Sequence, residues 1–282
     1  MGAGLHISFQ GEEGAYSHQA CRNVFPKAVA VPCRTFEGAI AAVHDGRAQL
    51  AMLPVENSTH GRVADIHRLL PDSGLHIIGE HFLRVRAAFM APKGSKLADM
   101  RRARSHPVLL GQVPKFLAAH DLEPVVGIDT AGSAREVAAE NASDLGAFAS
   151  PLAAEIYGLD ILADGVEDND HNTTRFLVCS PTPKVDPADR MMTSFVFRVR
   201  NLPAALYKAM GGFATNGVNM VKLESYMLNG SFTATQFYSD IEGHPDDPAV
   251  ARAMEELGFF TSHLKVLGTY PADPFRWQSD GE

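Results

Sequence analysis

The sequence predicts an α/β protein built in two parts, on three observations. Over roughly the first 180 residues, short apolar strand-like runs alternate with helical stretches, the pattern of a mainly parallel sheet. The segment Ser180-Pro181-Thr182-Pro183-Lys184-Val185-Asp186-Pro187 then places three prolines in eight residues, which neither a helix nor a central strand tolerates, so it reads as a linker. Beyond it, the order of predicted elements is β-α-β-β-α-β, the ferredoxin-like arrangement.

In the first part, apolar runs predict strands over 5–9, 50–53, 76–79, 87–91, 125–128, 145–149 and 175–179, with helices over 17–24, 35–45, 64–70, 113–120, 133–142 and 151–156. In the second part, residues 193–200 carry Phe195, Val196, Phe197 and Val199 and predict a strand. Asn201 then offers a helix cap, Pro203 falls in the first helical turn, and Leu206, Met210 and Phe213 recur at helical spacing until Gly217 ends the helix. Two β-rich runs, 219–228 and 231–241, are joined by Asn229-Gly230, a strong hairpin dipeptide. Asp247-Pro248 opens a second helix with Val250, Met254 and Leu257 on one face and Gly258 closing it, and a last strand covers 263–267.

Composition narrows the function. A chain of 282 residues favours about two domains, and 45% hydrophobic with 21% charged residues is enough for a sizeable core. A net charge of −8 leaves no dense basic stripe, so no nucleic-acid partner is expected, although local donors can still bind a small anion. Cys21, Cys33 and Cys179 are odd in number and widely spaced, without a Cys-x-x-Cys pair, and read as buried free thiols of a reducing compartment. The amino terminus has no basic region followed by a long apolar run, and no stretch has transmembrane length. A cytoplasmic protein with no membrane partner is expected.

Several chemistries are excluded by missing motifs. There is no G-x-S-x-G elbow, phosphate loop or H-E-x-x-H pair, and Gly2-x-Gly4 lacks a third glycine and precedes the first strand. Asp168-x-Asp170-x-Asn172 imitates a calcium loop, but Thr173 stands where the glycine belongs and Cys179 where the closing glutamate belongs. The twelve histidines lack metal-ligand spacing. A metal enzyme is not expected.

Four polar segments remain, each at a strand end or helix start. Gly11-Glu12-Glu13-Gly14-Ala15-Tyr16-Ser17 follows the opening strand, and a glycine turn leading into a helix presents free backbone N–H groups suited to an anion. Pro54-Val55-Glu56-Asn57-Ser58 follows the strand ending at Leu53. Ser105-His106-Pro107 is followed by Gln112, and Asn172-Thr173-Thr174-Arg175-Phe176 enters a strand with a hydroxyl beside an arginine. Singly, each also has an ordinary reading: a turn, a solvated carboxylate, a helix cap, and β propensity.

Together, in order and spacing, these segments resemble the signatures of prephenate dehydratases, and the stretch from Asn219 to Met227 looks like the ligand-binding half of an ACT domain. The resemblance covers nearly the whole chain. It implies a two-lobed, periplasmic-binding-protein-like (type II) catalytic domain over 1–183 and an ACT domain over 190–272. It also implies a cofactor-independent reaction that converts prephenate to phenylpyruvate. Thr174 is then expected to donate a hydrogen bond to the departing hydroxyl, with Glu56 the alternative proton source and Arg175 anchoring or organising a substrate carboxylate. Asn57, Ser58, Ser105, Gln112, Thr173, Gly14, Tyr16 and Ser17 are expected at the substrate. For the ACT domain, the resemblance implies feedback by L-phenylalanine at Ala204, Ala205, Leu206, Asn219, Leu223, Glu224 and Ser225, in a homodimer or homotetramer. Ala204 departs from the family's glycine-containing segment, and Tyr226-Met227 replaces its Arg-Pro. The rivals are an arogenate dehydratase, whose substrate carries an amine in place of the side-chain keto group, and a non-catalytic amino-acid-binding protein.

Overall fold

The computed structural model describes residues 4–200, 202–227 and 234–277. By compactness the chain divides into one unit of Met1–Val63 with Phe82–Phe176 and another of Ala64–His81 with Leu177–Glu282.

In chain order the elements are β1 (His6–Gln10), α1 (Tyr16–Val24), β2 (Val29–Cys33), α2 (Phe36–His44), β3 (Leu50–Asn57) and β4 (Gly61–Arg62). There follow α3 (Ala64–Leu69), β5 (His76–Arg84), β6 (Ala88–Ala91), β7 (Arg102–Ser105), α4 (Pro107–Leu110), α5 (Pro114–Ala119) and β8 (Glu123–Val126). Next come α6 (Thr130–Glu140), β9 (Leu145–Ala149), α7 (Pro151–Tyr157), β10 (Asp160–Asp164) and β11 (Thr173–Ser180). The division between units falls inside β5 and β11.

Where a mainly parallel arrangement is expected, the strands form two sheets, each of mixed sense. One runs β2-β1-β3-β11-β5 with β4 paired to β3, and the other runs β10-β6-β9-β7-β8. β1 is parallel to β2 and β3, and β7 is parallel to β8 and β9, whereas β6 is antiparallel to both its neighbours. β6 follows β5 after only the short connection 85–87 and joins the other sheet. The second sheet is buried on both faces: Phe89, Phe148, Met100 and Val113 fill one side, and Met90, Ala147, Val137 and Ala153 the other.

Besides the two-residue β4, three strands escape the sequence pattern for physical reasons. β2 contains Pro32 and lies at a sheet edge, where the missing donor is tolerated. β7 is Arg-Ala-Arg-Ser; Arg102 forms a 2.9 Å ion pair with Asp144, and Arg104 pairs with Glu140, so its charge hides an interior strand. β10 is a second edge strand with an aspartate at each end. β3 runs on past Leu53 to Asn57, which places Glu56 and Asn57 within the strand. α6 starts three residues before the expected 133, because Asp129 caps it by accepting the Gly132 N–H at 2.6 Å.

In the second unit, β12 (Met191–Val199), α8 (Ala205–Thr215), β13 (Met220–Met227), β14 (Ala234–Glu242), α9 (Pro248–Phe260) and β15 (Thr261–Pro271) follow in the expected order. Their antiparallel sheet runs β13-β14-β12-β15. Phe195, Phe197, Phe237 and Ile241 on one face pack against Ala209 and Phe213 of α8 and Val250, Ala253 and Leu257 of α9. The other face buries a polar group: Ser194 donates to Asp240 at 2.5 Å, the Tyr238 hydroxyl donates to Ser194, and His67 of α3 meets Tyr238 edge-on at 4.8 Å. No helix or strand lies between Ser180 and Met191, where the prolines predict a linker.

Two helix boundaries need correction. Pro203 precedes α8 rather than sitting in its first turn, because Ala204 takes a left-handed φ of 61° and the Ala205 N–H closes a turn onto Leu202. Gly258 does not close α9, which continues to Phe260: its φ is not positive, so it serves as an ordinary helical residue. Asn201 and Asn229-Gly230 lie outside the described residues. Cys21, Cys33 and Cys179 are buried free thiols, and burial pushes Cys21 and Cys179 up to about 12. Among the described residues no helix is long and apolar enough to cross a membrane.

Gly146 permits the tightest contact in the second sheet. A β-carbon there would lie 2.4 Å from Phe89 Cζ and 2.9 Å from the Met90 carbonyl. Gly146→Ala is expected to cost about 1–3 kcal/mol by overpacking, read as a lower urea midpoint with an unchanged denaturant slope.

Candidate active site

Strands β3 and β11 bring two of the four segments together. The Ser58 N–H donates to the Thr173 carbonyl at 2.9 Å, and the Thr173 N–H donates to Ser58 Oγ at 2.9 Å. Within that clamp Asn57 Nδ2 donates to Thr174 Oγ1 at 3.0 Å and to Asn172 Oδ1 at 2.7 Å. Asn172 in turn donates to Gln112 Oε1 at 2.9 Å, so the third segment joins through its glutamine. Thr174 is the one residue between 172 and 176 that is not buried.

Arg175 is 2% exposed, yet carries a charge. Its Nη1 is 2.9 Å from Glu56 Oε1, and its guanidinium lies 6.0 Å from the Phe82 ring centroid. Arg175 is expected to anchor or organise a substrate carboxylate; in this conformation its guanidinium is engaged by Glu56 and withdrawn from solvent. A charge so deeply buried needs a close counter-ion.

Ser105 is also placed differently. Its hydroxyl donates to the Phe148 carbonyl at 2.7 Å and is fully buried, while His106 caps α4 by accepting the Val108 N–H. The cap reading thus belongs to His106, and Ser105 ties β7 to β9.

The glycine turn departs from expectation as well. The Gly11 N–H donates to the Cys33 carbonyl, the Ala15 N–H to Glu12, and the Gly14 N–H to His18 Nδ1 at 3.0 Å, so three of its donors are used internally. Gly14 has a φ of 86°, and a β-carbon there would lie 2.9 Å from Ala153 Cα. Its role is therefore a close approach to α7. The turn is fastened across the unit: Ser150 Oγ donates to the Gly14 carbonyl, the Tyr157 hydroxyl to the Glu13 carbonyl, and Arg135 pairs with Glu12 at 2.8 Å. The Tyr16 hydroxyl donates to the Arg86 carbonyl, and burial, with Glu167 and Asp164 nearby, raises its pKa far above the ordinary phenol range.

A cleft of about 940 Å³ opens beside this turn, lined by Tyr16, Ser17, Arg34, His106, Asp129 and Arg135 among others. Glu56, Asn57, Gln112, Thr174 and Arg175 are not on its wall. The expected site residues therefore fall into a hydrogen-bonded hub and a cleft-side turn.

In the second unit, Ala204, Ala205 and Leu206 form the start of α8. Register pairs Leu223 with Ser239 and Ser225 with Phe237, on the helix-covered face, whereas Glu224 pairs with Tyr238 on the other, its Oε1 3.6 Å from Lys222 Nζ. The Asn219 carbonyl accepts the Glu242 N–H just before β13. The expected effector residues thus lie on two faces of one edge strand and at a helix start.

Sequence reasoning missed Asn172 as a member of the hub, and it missed the lobe contacts of Arg135, Tyr157 and Ser150. Asn172 was legible as a polar residue opening an apolar strand. The others carry no local signal, because their partners are more than a hundred residues away in sequence.

The hub combines a partly exposed hydroxyl with convergent amides at adjoining strand ends, polar groups of the kind that orient a small polar molecule. The family model described as Prephenate dehydratase matches residues 7–184. A Komagataeibacter europaeus protein, named a bifunctional N-acyl-homoserine lactone acylase/prephenate dehydratase, is 55% identical over 272 residues, covering 96% of this chain and 97% of that protein. Arogenate dehydratase/prephenate dehydratase 2 of Arabidopsis thaliana is 37% identical, over 96% of this chain and 74% of that protein. The crystal structure of prephenate dehydratase in complex with L-Phe from Arthrobacter aurescens superposes with a TM-score of 0.86 at 29% identity, covering 95% of this chain and 90% of that one. This chain belongs to the prephenate dehydratase family, the decarboxylating lyases of phenylalanine biosynthesis.

His18 supplies a pH test of the turn. Burial lowers its pKa from the ordinary 6.5, and its Nδ1 accepts the Gly14 N–H, so the folded protein prefers the neutral ring. The unfolded chain takes up the proton first, so this stability is fully present above about pH 6.5 and is lost as pH falls below it. His18→Asn keeps an acceptor without titrating. Urea midpoints at pH 7.5 and 5.5 are expected to fall less on acidification for the variant than for the wild type.

Proposed function

We propose that the protein removes water and CO2 from prephenate to give phenylpyruvate, with Thr174 donating to the departing hydroxyl. The observation that carries this reading is the polarity of that side chain. Thr174 Oγ1 accepts from Asn57, so its single proton is directed elsewhere, from the one position in its segment that is not buried. In the reaction the ring carboxylate leaves as CO2, its bonding electrons enter the ring, the C–O bond breaks, and the departing oxygen takes a proton from solvent to leave as water. Aromatisation drives the step, so the site chiefly supplies orientation and one donor. A threonine is too weak an acid to ionise here, and its part is hydrogen-bond donation as charge builds on oxygen.

Glu56 is the less suited proton source, because as a carboxylate paired with Arg175 it is an acceptor only. Arg175 then organises the β3–β11 junction rather than touching substrate. Gln112, with Asn57, Ser58 and Thr173 around it, supplies neutral recognition, while Tyr16 and Ser17 form part of the cleft wall. The chemistry is assigned without a cofactor.

The same reading takes residues 1–183 as a two-lobed catalytic domain of periplasmic-binding-protein (type II) kind and residues 190–272 as an ACT domain in a dimer or tetramer. L-Phenylalanine is its effector, a reading supported by the Arthrobacter relative's complex with L-Phe. Ala204 keeps the left-handed backbone that suits glycine, and its methyl narrows the approach there. A cytoplasmic setting goes with this reading.

Purified protein is expected to form phenylpyruvate from prephenate and to slow when L-phenylalanine is added, with arogenate the control substrate. Thr174→Ala is expected to lower kcat by about a hundredfold or more with little change in KM. Near-normal turnover by the folded variant would remove Thr174 from the mechanism.

A second activity is favoured by the 55% identity to a protein named as bifunctional. On that reading the chain also hydrolyses the amide of an N-acyl-homoserine lactone. Release of free homoserine lactone, followed by mass spectrometry, is the expected outcome; an intact substrate after exhaustive incubation with a prephenate-active sample would dismiss it.

A further inference from the structure

The hub contains one half-buried amide, Asn57, whose orientation decides what its neighbours can offer. Asn57 Oδ1 accepts the backbone N–H groups of Thr59 and His60, each at 2.9 Å, and backbone donors cannot reverse. Asn57 Nδ2 must therefore face the other way, where it meets Thr174 Oγ1 and Asn172. The Asn172 atom in that position, 2.7 Å from Asn57 Nδ2, must be its oxygen. The Asn172 amide nitrogen is thereby directed at Gln112, and Gln112 must present its oxygen to it, at 2.9 Å. Gln112 Nε2 is left as an outward donor on a side chain only partly buried. One polarity thus passes from two backbone N–H groups through three amides, and it makes both Thr174 and Gln112 donors.

We propose that Asn172 is a positioning residue that fixes Gln112 as a hydrogen-bond donor to an oxygen of the bound substrate; this rests on the reaction assigned above. Asn172 itself is 3% exposed and does not touch substrate. Its backbone is held independently, since its carbonyl accepts the Val85 N–H at 2.8 Å, so the side chain can be changed with the strand start still anchored.

Asn172→Asp is the sharpest probe. It keeps the acceptor for Asn57 but replaces the donor facing Gln112 with a second acceptor. Gln112 must then turn its Nε2 inward and its carbonyl outward, which inverts its polarity toward substrate. The test is steady-state turnover of prephenate by wild type, Asn172→Asp, Asn172→Ala, Gln112→Ala and the two double variants, with urea midpoints for each. Asn172→Asp is expected to lose about tenfold or more in kcat/KM. In the Gln112→Ala background either change at 172 is expected to add less than about twofold, because the effect travels through Gln112. A purely structural role would lower the midpoint and multiply the losses in the double variants, which would overturn the proposal, as would wild-type kcat/KM in Asn172→Asp. Should the aspartate variant not fold, the Asn172→Ala cycle decides by the same criterion. Absence of prephenate turnover by the wild type would remove the assigned reaction and this inference with it, an outcome distinct from an active enzyme indifferent to residue 172.

Discussion

The guanidinium of Arg175 has to be satisfied out of water, and the arrangement of the site follows from that constraint. Moving such an ion into a protein interior costs several kcal/mol unless a counter-charge and further hydrogen bonds meet it. Glu56 provides the carboxylate at 2.9 Å, which requires β3 to continue beyond its apolar run and lie beside the start of β11. Once Glu56 is placed there, the next residues along β3 are positioned by chain geometry. Asn57 reaches Thr174, and Ser58 clamps Thr173 from both its backbone and its side chain. A buried pair of this kind is weak evidence for stability, but it is strong evidence that these two strand ends have one register.

On the proposed reading, recognition in the hub is neutral. The cation nearest to Thr174 in sequence is spent internally, and the groups left facing outward are a hydroxyl and an amide. Neutral donors bind an oxygen anion less strongly than a guanidinium does, but they are not attracted to every passing carboxylate, and their direction is fixed before substrate arrives. Such preorganisation suits a reaction whose driving force lies in the substrate. The protein must orient two leaving groups and supply a donor, and it need not supply a strong acid.

Much of this was legible in the residues. The βαββαβ order came from alternation, turn dipeptides and prolines, and the described strands and helices follow it. The polar segments were found because each interrupts an apolar pattern at a strand end, and two of the four do meet, with Gln112 from a third. What the pattern could not reveal was the direction in which each polar group is used. Gly14 resembled an anion cradle, but its N–H is consumed by His18 and its missing β-carbon is needed against Ala153. Ser105 resembled a cap or a ligand, but it holds the Phe148 carbonyl 43 residues away. β7 was hidden because its arginines are neutralised by Asp144, Glu136 and Glu140, which local periodicity cannot anticipate.

The charge of the whole molecule sharpens the same point. At −8, the protein does not draw a dianion by its net field, and at physiological ionic strength charges more than about 8 Å apart are largely screened. The cleft wall itself mixes signs, with Arg34, Arg135 and His106 set among Glu12, Asp129 and Glu136, and Arg135 is already paired with Glu12. On the proposed reading, selection of an anionic substrate falls to short-range directed bonds rather than to long-range attraction. That places the burden on amide orientation, and amides are held in one orientation only where something that cannot flip fixes the end of the chain. Here that anchor is the pair of backbone N–H groups at Thr59 and His60, which lie just past the end of β3, the strand that Arg175 holds in place.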